Sequence, residues 1–164
     1  MRKTMKMTLA ALASLTLLPT AVTAHTVKAP FPGTVTATTY TSSGALHNGV
    51  DISSGRCNYW GVQTGVVGSV SWNVTIWSTA TTCTTATRNE AKHVWADGWA
   101  YRILNFIKTP DSFDKTCDRC QIGNEGFHTH IQQDKSGTYD NSWYSGYVTR
   151  GQTVDSTTTI GVLD

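Results

Sequence analysis

Four residues in two short stretches of the chain carry side chains that bind metal ions or move protons. The first stretch contains His47 and Asp51, and the second contains His128 and His130. Imidazole nitrogens and carboxylate oxygens are ordinary zinc ligands, and imidazole changes its charge close to neutral pH. These residue types therefore predict a metal site with a general base beside it.

The spacing inside each stretch favours convergence of the side chains. His128 and His130 are two positions apart and would project from the same face of a strand. His47 and Asp51 are four positions apart and would also share a face, and Gly49 lets the backbone bend between them. With one histidine of the second pair they supply two nitrogens and one oxygen, which leaves a fourth tetrahedral position for water, as in catalytic zinc sites. The other histidine would accept a proton from that water. The simpler alternative is that Asp51 occupies a turn and His47 a surface loop.

Strands, rather than helices, have to position these residues. Charged residues make up only 15% of the chain, and Thr, Ser, Gly and Trp are plentiful, which favours strands and turns. We expect a mainly β fold: a single antiparallel β-sheet domain with long loops and a short helical turn in one of them. The predicted strands cover residues 33–40, 61–76, 91–95, 99–107, 127–133 and 143–149, with a hairpin turn at Asp97-Gly98.

The N-terminal segment has the layout of a secretory signal peptide. Arg2, Lys3 and Lys6 precede an uncharged apolar run at 9–18, and small residues follow up to Ala24. The run is shorter than the ~20 residues of a membrane-spanning helix, although a retained membrane anchor is the alternative. We therefore expect a signal peptide at 1–24, a domain at 25–164, and a secreted protein without a membrane span after cleavage.

The charge of the chain gives no indication of nucleic-acid binding. The full sequence has 13 basic and 11 acidic residues, and the predicted signal peptide removes three of the basic ones. The mature domain would be slightly acidic, without the clustered Lys and Arg of a nucleic-acid interface. We expect a monomer of one domain.

Four cysteines would enter an oxidising compartment, where disulfides form. Cys57, Cys83, Cys117 and Cys120 allow three pairings, among which the sequence does not choose. We favour Cys57–Cys83 and Cys117–Cys120. The alternative for the second pair is half of a zinc knuckle, but no second pair of ligands at knuckle spacing follows it.

The two histidine stretches resemble the motifs of a known enzyme family. Residues 47–52 read HNGVDI and resemble the H-x-G-x-D-[IL] motif of the lysostaphin-like zinc metallopeptidases. Residues 123–130 read GNEGFHTH and resemble that family's G-x-x-G-x-H-x-H motif. Looser similarity at 61–70 and 93–104 extends the resemblance over roughly residues 32–132.

The resemblance implies a set of roles. His47, Asp51 and His130 would bind Zn²⁺, and His128 would be the catalytic histidine. The fold would be the antiparallel sheet of the duplicated-hybrid-motif type, with a groove across the metal. Members of the family cut peptide bonds in bacterial cell-wall peptidoglycan, often in glycine-rich cross-bridges. The resemblance thus predicts a secreted zinc endopeptidase with peptidoglycan or a related peptide as substrate.

One family histidine is missing. The family's Y-x-H-L motif aligns with residues 101–104, where Ile103 takes the place of a second catalytic histidine. Losing one hydrogen-bond donor to a developing oxyanion costs ~100–1,000-fold in turnover. His93 on the paired strand, or a hydroxyl such as that of Tyr101 or Tyr40, would have to substitute. Otherwise the chain is a catalytically impaired zinc-containing module that binds the cell wall or regulates a partner.

A further alternative starts from His25, which would be the first residue of the mature chain. An N-terminal histidine chelates copper through its free amine together with a second histidine. This hypothesis leaves the two paired motifs unexplained.

Overall fold

A computed structural model of the protein describes residues 24–57, 61–80, 82–83, 87–110 and 112–164. Apart from Ala24, the predicted signal peptide at 1–24 lies outside the described residues. Within the described ranges, no helix has the length and apolar character needed to span a membrane.

The described residues form twelve β-strands and a single turn of 3-10 helix at Ser142–Tyr144. All strand pairs are antiparallel, and one hydrophobic cluster fills the domain. The predicted mainly β, antiparallel, single-domain fold is therefore confirmed. In chain order the strands are β1 His25–Lys28, β2 Gly33–Ala37, β3 Val50–Ser53, β4 Gly61–Gln63, β5 Val70–Thr75, β6 Asn89–Val94, β7 Trp99–Ile107, β8 Lys115–Cys117, β9 Gln121–Lys135, β10 Thr138–Tyr139, β11 Thr153–Val154 and β12 Thr159–Leu163.

Most strands belong to one large sheet with β9 at its centre. The order is β11-β2-β3-β9-β7-β6-β5-β8, and β4 and β10 pair with the two ends of β9. Strands β1 and β12 form a separate two-stranded sheet. The 15-residue β9 therefore contacts four strands and positions residues from several parts of the chain.

The local sequence explains where the strands begin and end. The hairpin between β6 and β7 turns at Asp97-Gly98, as predicted, because Gly98 takes a positive φ of 92° at no steric cost. The predicted strand at 143–149 is wrong. The backbone bonds locally instead: the Ser145 N–H donates to the Ser142 carbonyl and Gly146 takes a positive φ of 79°, so the chain forms a 3-10 turn at Ser142–Tyr144.

The hydrophobic core covers one side of the large sheet. Val35, Ile52, Ile131 and Ile103 come from four neighbouring strands, and all are fully buried. They belong to the same cluster as Trp143 and residues of β1 and β12. The opposite side of these strands is free to carry polar side chains.

The two predicted disulfides are confirmed. Cys57 is bonded to Cys83 and Cys117 to Cys120, with Cα–Cα distances of 5.2 and 5.8 Å. The zinc-knuckle alternative for Cys117 and Cys120 is therefore wrong. Disulfides are compatible with an extracellular location.

Candidate metal centre

The His-x-His pair lies on the central strand β9. Alternate residues of this strand face opposite sides of the sheet: Thr129 and Ile131 are buried in the core, whereas His128 and His130 face the other side and are partly exposed. Asp51 on β3 pairs directly with His130, so its carboxylate lies on the same side. The register of two strands thus brings a carboxylate and two imidazoles together.

His47 reaches the same point from the loop that precedes β3. Its backbone N–H donates to the Thr39 carbonyl over 2.8 Å, which fixes the loop. Its Nδ1 lies 2.6 Å from the Thr38 carbonyl and 3.1 Å from that of Gly49, so Nδ1 carries the proton and donates it. The Nε2 atom therefore faces the group and lies 3.2 Å from Asp51 Oδ2. When protonated it donates to that carboxylate, and when neutral it offers its lone pair to a metal ion.

His130 presents its other ring nitrogen. Its Nδ1 lies 2.8 Å from Asp51 Oδ1, and its Nε2 lies 3.4 Å from Gln132 Oε1. In the metal-free protein Nδ1 donates to Asp51. If a metal ion displaced that proton, an N–H at Nε2 donating to the Gln132 side-chain oxygen would leave the Nδ1 lone pair directed at the ion. The sequence reasoning missed Gln132, although its position two residues after His130 on a strand places it on the same face.

His47, Asp51 and His130 form the group that can hold a metal ion. One ligand atom from each residue lies within 4.8 Å of the others. Zinc–ligand bonds of ~2.0–2.1 Å in a tetrahedron separate neighbouring ligand atoms by about 3.3 Å. His47 Nε2 lies 3.2 Å from Asp51 Oδ2, and His130 Nδ1 lies 2.8 Å from the other carboxylate oxygen, Oδ1, so both distances are of that order. The spacing therefore fits a divalent ion.

The protonation state of Asp51 suits metal binding, whereas a metal ion would have to displace a proton from His47. Burial raises the pKa of Asp51, but the hydrogen bonds from His130 and His47 outweigh this and hold the pKa far below its usual range. Burial lowers the pKa of His47, but Asp51 and two backbone carbonyls raise it to above its ordinary value. The carboxylate is therefore ionised at neutral pH, as a ligand must be.

His128 stands beside the group without being part of it. Its Nε2 lies 3.4 Å from Asp51 Oδ2, and 31% of its side chain is exposed. Burial lowers the pKa of His128 below its ordinary value, because the Asp51 carboxylate offsets the burial only in part. A neutral imidazole at the open edge of the group can accept a proton.

Asn105 is the second residue that the sequence reasoning missed. Its Nδ2 lies 3.4 Å from His128 Nε2. The pairing of β7 with β9 shifts after Leu104, which is opposite His130, and resumes at Phe106. Asn105 sits at this bulge with a positive φ of 66°. A polar residue inside an apolar strand, of a type that tolerates this conformation, is the signal that could have revealed the bulge.

The position of Ile103 shows why it cannot take part in the site. Ile103 pairs with Ile131, and both are fully buried on the core side of the sheet. Tyr101 faces the same core and is also fully buried, so it is not the substitute hydroxyl. Tyr40 is exposed on the loop that carries His47, where it pairs with Leu46.

His93 lies outside the site, contrary to the prediction that it substitutes for the missing histidine. His93 pairs with Tyr101 and so projects from the core side of the sheet, opposite to His130. Its Nδ1 donates to the Ser71 carbonyl over 2.6 Å, and its ring meets Trp95 edge-on. The register of β6 against β7 therefore contradicts a catalytic role for His93.

His25 has a different set of contacts. Its Nε2 lies 2.7 Å from the Asp97 carboxylate, and its ring stacks on Trp95 at 4.3 Å. These contacts attach β1 to the β6–β7 turn. They give the copper hypothesis no support.

Comparisons of the chain with protein-family models, with curated proteins and with solved structures returned no match. The interpretation of the site therefore depends on its own geometry and on the two sequence motifs.

Proposed function

We propose that the protein is a secreted zinc-dependent endopeptidase that cuts peptides of the bacterial cell wall. One observation carries the proposal: His47, Asp51 and His130, from two segments about eighty positions apart, direct ligand atoms to one point, and His128 stands at its open edge. A structural zinc site would be closed by a fourth protein ligand, whereas three ligands are typical of catalytic zinc.

The donor set favours zinc over the hard cations. Calcium and magnesium take oxygen ligands, whereas two imidazoles and one carboxylate suit zinc. Both imidazoles have their second nitrogen engaged, that of His47 by the Thr38 carbonyl and that of His130 by Gln132. Such partners orient a ligand and raise its basicity.

The residues around the group have separate roles. When bound, zinc supplies a Lewis acid that lowers the pKa of a coordinated water from ~16 to ~7. His128, neutral at pH 7, accepts a proton at Nε2 and returns it to the leaving amine. Before that transfer Asn105 donates to the lone pair of the same nitrogen and fixes the orientation of the ring, and it gives up this hydrogen bond when Nε2 takes the proton. Peptidoglycan as substrate and export as location follow from the family resemblance and the signal peptide.

The test combines metal content with turnover. We expect the purified protein to contain one zinc and to release peptides from cell walls, and His47→Ala to lose both. His128→Ala should keep the zinc and lose turnover by roughly 100-fold or more, since general base catalysis contributes about that much. His93→Ala is the matched control, because it removes an imidazole from the other side of the sheet. Equal turnover of wild type and His128→Ala would end the enzyme proposal.

A second candidate function is a zinc-containing wall-binding module without catalysis. The observation in its favour is that β7 presents no imidazole to the site, because Ile103 faces the core. It predicts zinc-dependent sedimentation with cell walls, lost in His47→Ala, without release of peptides. Assays on the same cell-wall preparations therefore distinguish the peptidase from the binding module.

A further inference from the structure

A cavity of about 470 Å³ opens directly beside His128. That volume falls in the ~300–1,000 Å³ range of small-molecule sites. His128 lines the cavity and also contacts Asp51, so the cavity and the metal group share a wall. The rest of the lining comes from β2, from β3 and the loop after it, from the segment between β5 and β6, and from β9: Thr36, Ser53, Gly55, Arg56, the Cys57–Cys83 disulfide and Phe127.

The lining is mainly apolar. Phe127, which is 62% exposed, forms one apolar wall of the cavity, and the Cys57–Cys83 disulfide forms a second. The Ser53 hydroxyl is already engaged, because it accepts from the Gly55 N–H over 3.1 Å and donates to the Phe127 carbonyl over 3.4 Å. Thr36 donates to the Asp51 carbonyl.

The charges around the cavity exclude a basic occupant. Among the described residues no carboxylate lines it, and Arg56 contributes a positive charge to its wall. A lysine or arginine side chain would therefore be repelled. An uncharged apolar side chain would replace water without leaving a polar group unpaired.

The loop after β3, which forms part of the cavity wall, is anchored by hydrogen bonds to a buried residue. Glu125, which is fully buried, accepts from the Ser54 N–H over 2.8 Å and from the Ser54 hydroxyl. The Cys57–Cys83 bond ties Cys57 of the same loop to the segment between β5 and β6. An apolar cavity whose walls are fixed before binding loses less entropy when it takes its occupant.

We propose that this cavity is the specificity pocket of the enzyme and that it takes a large apolar side chain, of leucine to phenylalanine size, next to the scissile peptide bond. The inference rests on the proposed peptidase chemistry, because the shared wall at His128 places the cavity next to the metal group. It extends the substrates beyond the cell wall, whose peptides carry no apolar side chain of this size. A substrate made only of glycine would leave the pocket filled with water.

The test uses acetylated and amidated pentaglycine peptides in which single positions are replaced by alanine, leucine or phenylalanine. With the zinc-loaded protein, we expect kcat/KM for the best phenylalanine or leucine peptide to exceed that of pentaglycine by roughly 10–100-fold, the gain for burying such a side chain. Mass spectrometry locates the cleaved bond beside the replaced residue.

Two variants act on opposite walls of the pocket. Phe127→Ala removes one wall, and Thr36→Phe fills the space from the other side without changing a neighbour of His128 in sequence. Each should lower the phenylalanine-to-glycine ratio by roughly tenfold. Phe113→Ala is the matched control, since Phe113 is similarly exposed but does not line the cavity.

The outcomes separate the pocket from the peptidase function. Cleavage of pentaglycine at the same rate as the phenylalanine peptides, or a ratio unchanged in both variants, overturns the pocket and leaves the peptidase standing. If no peptide is cleaved, calorimetry compares binding of the phenylalanine peptide with binding of pentaglycine. If the wild type binds the phenylalanine peptide more tightly than pentaglycine and Phe127→Ala does not, the pocket is supported although the peptidase proposal fails. If both peptides bind equally, the pocket and the peptidase proposal are both overturned.

Discussion

Asp51 is the residue around which the candidate site is organised. Its two carboxylate oxygens lie within 3.4 Å of three imidazoles, those of His47, His128 and His130. Without positive charge nearby, burial would favour the protonated carboxyl group. The surrounding imidazoles reverse that preference and keep the pKa of Asp51 low.

Gly49 allows the closest approach between the loop of His47 and strand β9. A Cβ at this position would lie 2.2 Å from the Ile131 carbonyl oxygen and 2.9 Å from the His130 ring. Gly49→Ala should displace the ring and lower zinc affinity by roughly 10–100-fold, the cost of disturbing a ligand's support. Gly44→Ala is the control, because Gly44 also has a positive φ but open space around it. Competition titration with a zinc indicator measures both, and equal affinities would contradict the steric argument.

Asn105 should affect catalysis more than stability. Asn105→Ala and Asn105→Gly both remove the donor to His128, and we expect turnover to fall by roughly 10–100-fold, at or below the cost of losing an oxyanion donor. Only the alanine variant should also lose stability, by about 1 kcal/mol, because glycine accepts the positive φ and alanine does not.

The pH–rate profile separates positioning by Asn105 from a merely structural role. Its N–H stabilises the neutral form of His128, so removing it raises the pKa of that imidazole. The base must be neutral, and the acid limb of the profile should move to higher pH in both variants. An unmoved limb would show that Asn105 does not act on His128.

At the scale of elements, the pairing of β3 with β9 decides whether a site exists. Ile52 and Val50 face the core and so do their partners Thr129 and Ile131. A slip of one residue would turn Asp51 towards the core and bury a charge. The hydrophobic residues thus fix the register, and the register aligns the ligands.

The turn before β12 has an acid-sensitive element of its own. Hydrogen bonds from the side chain and backbone of Thr157, and from Thr158, hold the pKa of Asp155 at about 2. Because this pKa is below the ordinary value near 3.8, the stabilisation is present above pH 4 and is lost as the pH falls towards 2. Wild type should therefore melt at a higher temperature than Asp155→Ala at pH 5, with the gap closing at pH 2. The measurements are made with a chelator present, so that pH-dependent metal binding does not contribute to the melting temperatures. A difference in melting temperature that stays constant between pH 5 and pH 2 would refute the prediction.

At the scale of the whole molecule, one face of the large sheet forms the hydrophobic core and the opposite face carries the candidate site. One face packs into the core with Trp143 and with β1 and β12, and the other carries His128, His130, Gln132 and Asn105. A metal ion would connect the loop of His47 to the central strand. Binding at this place therefore stabilises the folded state as well as preparing the site.

Metal removal should consequently lower the thermal stability of the entire domain. An ion that binds only the folded state adds ~4 kcal/mol at a free concentration 1,000 times its Kd. We expect added zinc to raise the Tm of chelated wild type and of His93→Ala. His47→Ala should show little response, because one ligand is missing. An equal response of His47→Ala would place the bound zinc elsewhere.

Much of the fold and of the site follows from local sequence. The alternation of apolar and polar residues predicts strands, Asp97-Gly98 predicts the hairpin, and the two motifs identify His47, Asp51 and His130. These features depend on neighbouring residues, whose geometry is set by the strand repeat of two and by the freedom of glycine at positive φ.

Other features were decided by tertiary structure alone. Which face His93 occupies, what Ile103 contacts, and how Asn105 reaches His128 all depend on the register between strands distant in sequence and on the break in the pairing of β7 with β9, where Asn105 faces four residues of β9. The pocket beside His128 likewise requires a disulfide-held loop to meet β9. Such contacts arise from the packing of the whole core, because a shift of one residue exchanges the two faces of every strand.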